Sequence, residues 1–342
     1  RNAAFSLAVK LVRFLEVAKH VFSATLKATV FILYLGLQSH GEGRVSMTLE
    51  QRALLEKEET RKIKILAALA CRFRIEMFDI LHAKQTGHWG GASSACEILT
   101  ALYFHRLCLD PKNPDWEDRD RFILSKGHAS LLLYTVLAYR GFFEPEILAS
   151  FRDINSTLQG HPYMNKTPGV DMSTGALGHG ISVGVGMALA ARLLKKSYHS
   201  YVMVGEGCLN EGQSWEAILS AAKYKPEGLT LMVDYNGVQL DGPSKDIMPL
   251  EPLADKFKAF GWNILDEVYD GNDMKAVFQS FRELDRIVGW PKVVLYHTVK
   301  GKGVSFMEGR NTWHGAPIDV SSYAAGRPEL VAFFEQALAE VM

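Results

Sequence analysis

Oxygen-bearing side chains follow two apolar stretches of the chain and could bind a metal ion. Glu206 lies between two glycines in VGEGCLNEGQ (residues 204–213), directly after the apolar run YVMVG, and Asn236 directly follows LTLMVDY. Carboxylate, amide and backbone carbonyl oxygens are hard ligands that suit Mg²⁺ or Ca²⁺, and Mg²⁺ is often completed by phosphate oxygens. A lone Gly-Glu-Gly is more often a surface turn, so its pairing with Asn236 is what favours a metal–diphosphate site.

The residues beside Glu206 suggest how a phosphate group could approach. Gly205 and Gly207 would let the backbone come close to it. Asn210 and Gln213 form a plausible capping pair for a following helix, whose N terminus would offer free amides and a positive dipole end. The stretch therefore predicts a diphosphate-binding turn.

Histidines supply a second group of candidate residues. Four of them lie in loops that contain glycine or proline: His88 in TGHWGG, His128 in SKGHAS, His161 in QGHPYM and His314 in TWHGAP. A lone histidine is more often structural than catalytic, but four in similar loops favour a functional interpretation. Histidine can donate to phosphate or hydroxyl oxygens and exchange protons near neutral pH.

The elements that must position these residues are short apolar runs alternating with helical patterns. Strands are predicted at 121–125, 201–205, 229–235, 262–268 and 291–299. Helices are predicted at 49–84 (one or two), 93–108, 129–140, 145–152, 181–195, 211–224, 250–259 and 272–287, with a functional loop over 159–180. This alternation indicates an α/β fold, a mostly parallel sheet with helices on both faces. Ligands gather at the carboxyl ends of such strands, so Glu206 and Asn236 are expected at one edge.

The bulk composition excludes several classes of function. The chain has 342 residues, of which 48% are hydrophobic and 22% charged, as in a globular protein. Lys plus Arg and Asp plus Glu both number 38, so net charge does not favour binding to nucleic acid or a membrane surface. The four cysteines lack C-x-x-C spacing, which indicates neither a disulfide framework nor a zinc site and favours the reducing cytoplasm.

Residues 1–46 differ from the rest of the chain. They are basic, and their apolar stretch at 21–37 is slightly short for a membrane span and carries Lys27. This leader could be a targeting or anchoring segment, a docking arm, or translated sequence upstream of the true start. The last is favoured, because charge and helical periodicity begin together at Met47. We expect residues 47–342 to form a single domain that does not enter a membrane.

Six stretches resemble the thiamine-diphosphate domain of transketolases and occur in the same order. They are GHWGGASSACEILTALYF, DRFILSKGHASLLLYTVLAYRGFF, GHPYMNKTPGVDMSTGALGHGISVGVGMALA, GEGCLNEGQSWEA, DYNGVQLDG and HTVKGKGVSFMEGRNTWHG. The resemblance covers Leu49 to Pro317. The forms SKGHA and DYNG are most similar to the amino-terminal subunit of a split, two-chain transketolase.

The resemblance implies roles for individual residues. Glu206, Asn236 and the backbone carbonyl of Val238 match the ligands of Mg²⁺, or Ca²⁺, which would accompany thiamine diphosphate. Four residues match loops that contact this cofactor: Gly175, Leu177, Gly205 and Gly207.

Catalytic roles are implied in the same way. His128 and His314 match histidines near the diphosphate and the reacting centre. His88 and His161 match those that contact sugar hydroxyls and assist proton transfer. Glu211 matches a glutamate at the subunit contact and is counted with the catalytic residues.

The implied reaction passes a two-carbon ketol unit from a ketose phosphate to an aldose phosphate. The chain ends without the family's pyrimidine-binding domain, so we expect a two-plus-two assembly with a separate carboxy-terminal subunit. The motifs HTVKGKG and WHG favour transketolase over the α subunits of 2-oxoacid dehydrogenases. The alternatives are a specialised ketol transferase, a relative of deoxyxylulose-phosphate synthase, and a non-catalytic degenerate homologue.

Three positions depart from the family pattern. Glu206 stands in place of the usual aspartate, Trp89 in place of proline, and His179 in place of glutamine. Glu206 keeps the charge and oxygen type of the usual residue but is one methylene longer.

Overall fold

A parallel β-sheet organises the chain, for which the computed structural model describes residues 47–265 and 268–341. Its six strands are β1 (Arg121–Leu124), β2 (Ser200–Gly205), β3 (Leu229–Tyr235), β4 (Asn263–Ile264), β5 (Tyr269–Asp270) and β6 (Lys292–His297). Their order is β1-β2-β3-β6-β4, with β5 also pairing with β6, and each of these strand pairs is parallel. The predicted α/β fold is confirmed. The leader 1–46 lies outside the described residues.

Of the strand predicted at 262–268, the described residues form only β4, and β5 lies just after the predicted range; both pair with β6. β4 pairs with Lys292 and Val293, at the start of β6, whereas β5 pairs with Tyr296 and His297, at its end. Trp262, Leu265 and Val268 belong to no strand, so the predicted strand is too long, and positions 266 and 267 lie outside the described residues.

Eleven α-helices are described around the sheet. They are α1 (Leu49–Leu55), α2 (Glu59–Lys84), α3 (Trp89–Ser94), α4 (Cys96–Ala101), α5 (Ser130–Arg140), α6 (Gly180–Leu193), α7 (Gly212–Tyr224), α8 (Ser244–Ile247), α9 (Leu253–Ala259), α10 (Met274–Arg286) and α11 (Val320–Ala339). The helix predicted at 93–108 is instead α3, α4 and a π-helical turn at Leu102–Arg106, and the one at 145–152 is a 3₁₀ helix at Pro145–Ser150. In the described part of the chain, no helix is long and apolar enough to cross a membrane.

Alternate side chains of each strand enter two separate cores, because successive residues of a strand point to opposite faces. On β2, Tyr201 and Met203 join the core that contains much of α2, α4, α5 and α10, whereas Val202 and Val204 join the core formed with α6, α7 and α9. Both faces of the sheet are therefore covered, which leaves the ends of the strands as the natural place for a ligand.

The loop predicted over 159–180 holds only turns and bends up to His179, where α6 begins. Its residue Thr167 anchors it to the preceding turn, because the Thr167 hydroxyl donates to the carbonyl of Thr157 at 2.7 Å. Residues Leu49–Met342 form one compact unit.

Candidate functional site

The carboxyl ends of β2 and β3 meet at one edge of the sheet. Gly205 is in register with Asp234, so Glu206 and Asn236 both extend beyond this edge. They line a cleft of about 300 Å³. Its other lining residues are Gly91, Lys126, His128, Leu177, Gly205, Gly207, Cys208, Asn210, Glu211, Asp234, Val238, Gln239, Leu240, Lys300 and His314.

The carboxylate of Glu206 is buried and held by two donors from the segment after β3. The backbone N–H of Gly237 donates to Oε2 at 2.8 Å, and the hydroxyl of Ser244 donates to Oε1. Burial raises the pKa of Glu206, although these two hydrogen bonds act against the rise. The longer carboxylate is thus fixed in place by the loop that follows β3.

Asn236 and Val238 place two further oxygens at the cleft. Asn236 Oδ1 accepts from the backbone N–H of Val238 at 3.2 Å, and the Val238 carbonyl accepts from Lys300 Nζ at 2.9 Å. The carboxylate, amide and carbonyl oxygens are a donor set that fits Mg²⁺ or Ca²⁺. Among the described residues, no three His, Cys, Asp or Glu side chains are grouped to hold a metal, so a cation here would depend on this mixed set.

Two lysines that were not predicted as site residues lie in the same cleft. Lys126 is 1% exposed and pairs with Asp234, which is 0% exposed and also accepts from the hydroxyls of Ser94 and Thr298. Burial alone would raise the pKa of Asp234, but the Lys126 charge and these hydrogen bonds lower it below its usual value. Asp234 therefore stays ionised at neutral pH.

Lys300 is the second of these cations. Its ammonium donates to the carbonyls of Val238 and Gln239 and lies 3.0 Å from His314 Nδ1. Burial lowers its pKa to about 8, so it is still mostly protonated at neutral pH. No carboxylate of the described residues forms an ion pair with it, which leaves its charge available for a phosphate group.

The sequence contained a signal for both lysines. Each stands inside a stretch that also carries a noted motif, Lys126 in SKGHAS and Lys300 in HTVKGKG. A buried lysine in such a glycine-bearing loop is a candidate for phosphate binding, but burial becomes visible only in the folded chain.

Three of the four predicted histidines form a cluster at the edge of the cleft. The ring centroids lie 5.3 Å apart for His88 and His128, 5.4 Å for His88 and His314, and 5.0 Å for His128 and His314. Burial and neighbouring positive groups lower the pKa of His88 and of His314 to about 4, and that of His128 well below its usual value. All three rings are therefore neutral at pH 7.

His161 lies beyond this cluster, outside the residues that line the cleft. A Cβ atom on Gly127 or Gly175 would lie 3.2 or 3.9 Å from its ring, so Gly175 also stands apart from the cleft. A positive charge on His161 would contribute to lowering the pKa of His88, after burial and the charge of Arg152.

Two buried polar atoms near these rings have no hydrogen-bond partner among the residues that the structure describes. His88 Nδ1 and Thr174 Oγ1 are buried and accept or donate no hydrogen bond within the described residues. Because such groups are normally satisfied, these two fit a site that a polar ligand completes.

The predicted capping pair at α7 is wrong. Asn210 Oδ1 accepts from Gln239 Nε2 at 2.8 Å, while Gln213 Nε2 donates to the Leu177 carbonyl at 2.8 Å. Glu211 occupies the N-cap position and makes no side-chain cap hydrogen bond. Both amides thus serve long-range contacts that hold the walls of the cleft together.

Comparison with known proteins decides the family. Residues 65–332 match the family profile described as "Transketolase, thiamine diphosphate binding domain". The chain belongs to the transketolase family. The transketolase resemblance given by its motifs is confirmed.

Two curated transketolase relatives are subunits of similar length. The chain is 40% identical over 245 residues to an apulose-4-phosphate transketolase subunit of Phocaeicola vulgatus, covering 71% of this chain and 86% of that protein. It is 41% identical over 244 residues to the 6-deoxy-6-sulfo-D-fructose transketolase subunit SqwG of Clostridium sp., covering 71% and 88%. Both names describe one subunit of a transketolase.

Solved transketolases show the same fold. The transketolase from Leishmania mexicana superimposes with a TM-score of 0.71 at 29% identity, covering 82% of this chain and 45% of that chain. The chain thus spans less than half the length of that transketolase.

Two of the departures from the transketolase pattern have structural explanations. Trp89 is wholly buried and packs edge-on against Phe78 at 5.0 Å, so it belongs to the core and not to the cleft. His179 Nδ1 lies 2.9 Å from Gln213 Oε1, so it helps to hold the glutamine that binds the Leu177 carbonyl.

Another cleft of about 300 Å³ is a weaker candidate in this transketolase-family chain. It includes Arg74 and Glu97, whose buried charges pair with each other in two hydrogen bonds. Asn272 also donates to Glu97. These charges already satisfy one another, in contrast to the ammonium of Lys300.

Proposed function

We propose that this chain is the cofactor-binding subunit of a transketolase that transfers a two-carbon ketol unit from a ketose phosphate to an aldose phosphate. The observation that carries the proposal is that oxygen atoms suited to a metal ion and two buried lysines line the same cleft, at one edge of the sheet. Glu206, Asn236 and the Val238 carbonyl are the proposed ligands of Mg²⁺, with Ca²⁺ as the alternative. Lys300 supplies positive charge for the diphosphate, and Lys126 neutralises buried Asp234 beside it.

Thiamine diphosphate, when bound, supplies the carbon nucleophile and accepts the electron pair released when the sugar carbon–carbon bond breaks. The chain's own residues then bind and orient. Gly205 and Gly207 leave open space for the backbone to approach the diphosphate, since a Cβ on either would meet no atom closer than 3.8 Å. Leu177 offers an apolar contact to the cofactor rings, and Gly175 is a further proposed contact from the same loop.

The histidines act on the substrate in this proposal. As neutral imidazoles, His128 and His314 donate or accept hydrogen bonds at the reacting carbonyl without adding charge. His88 and His161 lie further out and bind the sugar hydroxyls, with the unpaired Nδ1 of His88 satisfied by substrate.

A separate carboxy-terminal subunit with the pyrimidine-binding domain would complete the site, in a two-plus-two assembly. The subunit names of the relatives and the exposed position of Glu211 support this proposal. Leu240, Ile247 and Met248 are 59%, 43% and 56% exposed close to the cleft, which is apolar surface suited to a partner protein.

The relatives are named for apulose-4-phosphate and for 6-deoxy-6-sulfo-D-fructose, which supports a specialised ketol transferase as the second candidate. We propose 47–342 as the functional domain, a view supported by the single compact unit Leu49–Met342, and a cytoplasmic setting, supported by four free cysteines.

A binding and turnover experiment tests the proposal. The chain is mixed with its partner subunit, and thiamine diphosphate is titrated by calorimetry with Mg²⁺ and with EDTA. Ketol transfer from xylulose 5-phosphate to ribose 5-phosphate, and from the two named ketoses, is followed by NMR. We expect Mg²⁺-dependent binding and transfer from at least one ketose. Absence of cofactor binding in the assembled complex would contradict the proposal and support the degenerate, non-catalytic alternative.

A further inference from the structure

The side chain of Lys300 is confined between its own loop and the helix α3. The residue is 3% exposed, and its carbonyl accepts from the backbone N–H of Gly309 at 2.8 Å. The next residue, Gly301, donates its N–H to the carbonyl of Gly90 at 3.1 Å. A Cβ atom on Gly90 would lie only 3.0 Å from Lys300 Cγ and 3.1 Å from Cε, so this glycine leaves just enough room for the aliphatic part of the lysine. The position of Nζ is therefore set by the packing around the stem.

Three acceptors surround the Nζ atom of Lys300. They are the carbonyl of Val238 at 2.9 Å, the carbonyl of Gln239 at 3.0 Å and Nδ1 of His314 at 3.0 Å. Lys300 is mostly protonated at neutral pH, and an ammonium has three N–H donors and no lone pair. These acceptors therefore use all of its donors. Nδ1 of His314 must accept a hydrogen bond from Lys300 and cannot carry a proton of its own.

This contact decides where the ring of His314 carries its proton. Burial, together with neighbouring positive groups, keeps the imidazole neutral at pH 7, and a neutral imidazole has a single N–H. Since Nδ1 accepts, the proton must be on Nε2. Within the described part of the chain, Nε2 of His314 makes no hydrogen bond, and the residue lines the cleft. The Nε2–H group is therefore available to an acceptor atom of a ligand.

The turn that carries His314 is also anchored. The backbone N–H of His314 donates to the carbonyl of Asn311 at 2.9 Å, and the Asn311 side chain donates to the carbonyl of Leu240 at 3.1 Å. A Cβ on Gly315 would lie 3.4 Å from the ring of His88, so this ring packs against the residue after His314. Backbone and Nδ1 are thus both held, which is what a preorganised hydrogen-bond donor requires.

We propose that Lys300 is a positioning residue that fixes His314 in the tautomer with its proton on Nε2, so that His314 donates a hydrogen bond to the oxygen of the reacting carbonyl. Negative charge develops on this oxygen when the carbonyl carbon is attacked, and a preorganised donor in a partly buried site stabilises that charge. The inference rests on the proposed ketol transfer and deepens it, because it makes His314 a donor at this step and leaves the acceptance of protons to other groups.

NMR of the assembled complex measures the tautomer. This chain is labelled with isotope-enriched histidine and mixed with unlabelled partner subunit, thiamine diphosphate and Mg²⁺ at pH 7. Nitrogen shifts distinguish protonated from unprotonated ring nitrogens, carbon couplings distinguish Nδ1 from Nε2, and the signals of His314 are those absent in His314→Gln. We expect an unprotonated Nδ1 and a protonated Nε2. A protonated Nδ1 would overturn the inference, because Lys300 would then be a neutral acceptor.

Lysine variants test whether Lys300 sets this tautomer. Lys300→Met removes the ammonium but keeps the length of the side chain, and we expect a measurable fraction of His314 to carry its proton on Nδ1. Lys302→Met is the matched control, because Lys302 belongs to the same loop but lies 3.5 Å from Glu308 and outside the cleft lining. It should keep the wild-type tautomer. An unchanged Nε2–H tautomer in Lys300→Met would overturn the inference.

Two substitutions of His314 test the role of the donor. Glutamine places its amide near the position of Nε2, whereas asparagine places it near that of Nδ1, so only His314→Gln keeps a donor for the ligand. With saturating cofactor and hydroxypyruvate as ketol donor, we expect kcat to be roughly ten- to a hundredfold lower in His314→Asn than in His314→Gln, as for a hydrogen bond to a charged group. Equal kcat values in the two variants would overturn the role of Nε2–H.

The inference and the proposed function fail in different ways. Normal ketol transfer by a complex in which His314 carries its proton on Nδ1 would refute the inference and leave the proposed function intact. A complex that binds cofactor but transfers no ketol unit would refute the proposed function. In that complex the NMR measurement would still decide whether Lys300 fixes the tautomer of His314.

Discussion

The hydroxyl of Ser244 donates to the carboxylate of Glu206 across the loop that joins β3 to α8. The backbone N–H of Gly237 donates to the other carboxylate oxygen at 2.8 Å, so hydrogen bonds orient both oxygens of Glu206. A carboxylate has about four lone-pair sites, so two donors leave positions for a cation. The extra methylene of glutamate is accommodated by the loop and does not remove Glu206 from the cleft.

Substitution of Glu206 tests whether it is a metal ligand. We expect Glu206→Gln, which keeps the length but removes the charge, to abolish the Mg²⁺ dependence of thiamine diphosphate binding. Glu206→Asp should raise Mg²⁺ affinity, because aspartate is usual at this position and has one fewer rotatable bond to order. Calorimetric titration of the assembled complex measures both effects. An Mg²⁺ affinity unchanged in both variants would show that Glu206 is not a ligand.

The buried Lys126–Asp234 pair should contribute strongly to folding. We expect Lys126→Met to lower the free energy of unfolding by about 3–5 kcal/mol, because it leaves the Asp234 charge buried without its partner. Lys196→Met is the control, since Lys196 pairs with exposed Glu117 and should affect stability far less. Urea denaturation of the chain measures both. Equal losses of unfolding free energy in the two variants would contradict the expectation that the buried ion pair stabilises the fold more than the exposed one.

A buried neutral histidine should make stability depend on pH. Burial lowers the pKa of His199 to about 3 from an ordinary 6.5, and its Nε2 lies 2.8 Å from Thr230 Oγ1. Below pH 6.5 the unfolded chain binds a proton that the folded chain does not, so stability falls as pH drops from 6.5 toward 3. The slope from this group is at most about 1.4 kcal/mol per pH unit.

Urea denaturation at pH 5 and pH 7 checks this contribution. The difference in unfolding free energy between the two pH values should be smaller in His199→Gln than in the wild type. His297→Gln, a change at an exposed position, should keep the wild-type difference. If His199→Gln also keeps the wild-type difference between pH 5 and pH 7, the His199 ring is not the source of that pH dependence.

Trp89 should affect stability but not the chemistry of the cleft. We expect Trp89→Ala to lower the free energy of unfolding by about 3–5 kcal/mol, because the side chain is wholly buried. Trp290→Ala, at a position 37% exposed, should have a smaller effect. Cofactor affinity in the folded complex should be unchanged by either. Weaker cofactor binding in Trp89→Ala would show that this residue shapes the site directly.

Elements that depend on a few neighbouring residues could be predicted from the sequence. The apolar runs of β2 and β3 predicted buried parallel strands, and strand polarity then brought Glu206 and Asn236 to one edge. The prediction failed where long-range partners compete with local ones. Asn210 could cap a helix, but Gln239 offers a tertiary contact that no local rule contains.

The pairing of charged side chains was the feature that the sequence predicted least well. Lys126 and Asp234 are 108 residues apart, and only the fold brings them together. Likewise, Lys84 pairs with Asp153, 69 residues away. Sequence alone names the residues that carry charge but not those that neutralise one another.

Lys300 gives the cleft an inbuilt coupling. One ammonium group contacts both the carbonyl of Val238, a proposed metal ligand, and the ring of His314, a proposed substrate contact. An anion that draws this ammonium away releases the carbonyl oxygen and the imidazole nitrogen in the same movement. A ligand bound in one half of the cleft would therefore change the hydrogen bonds of the other half through this single side chain.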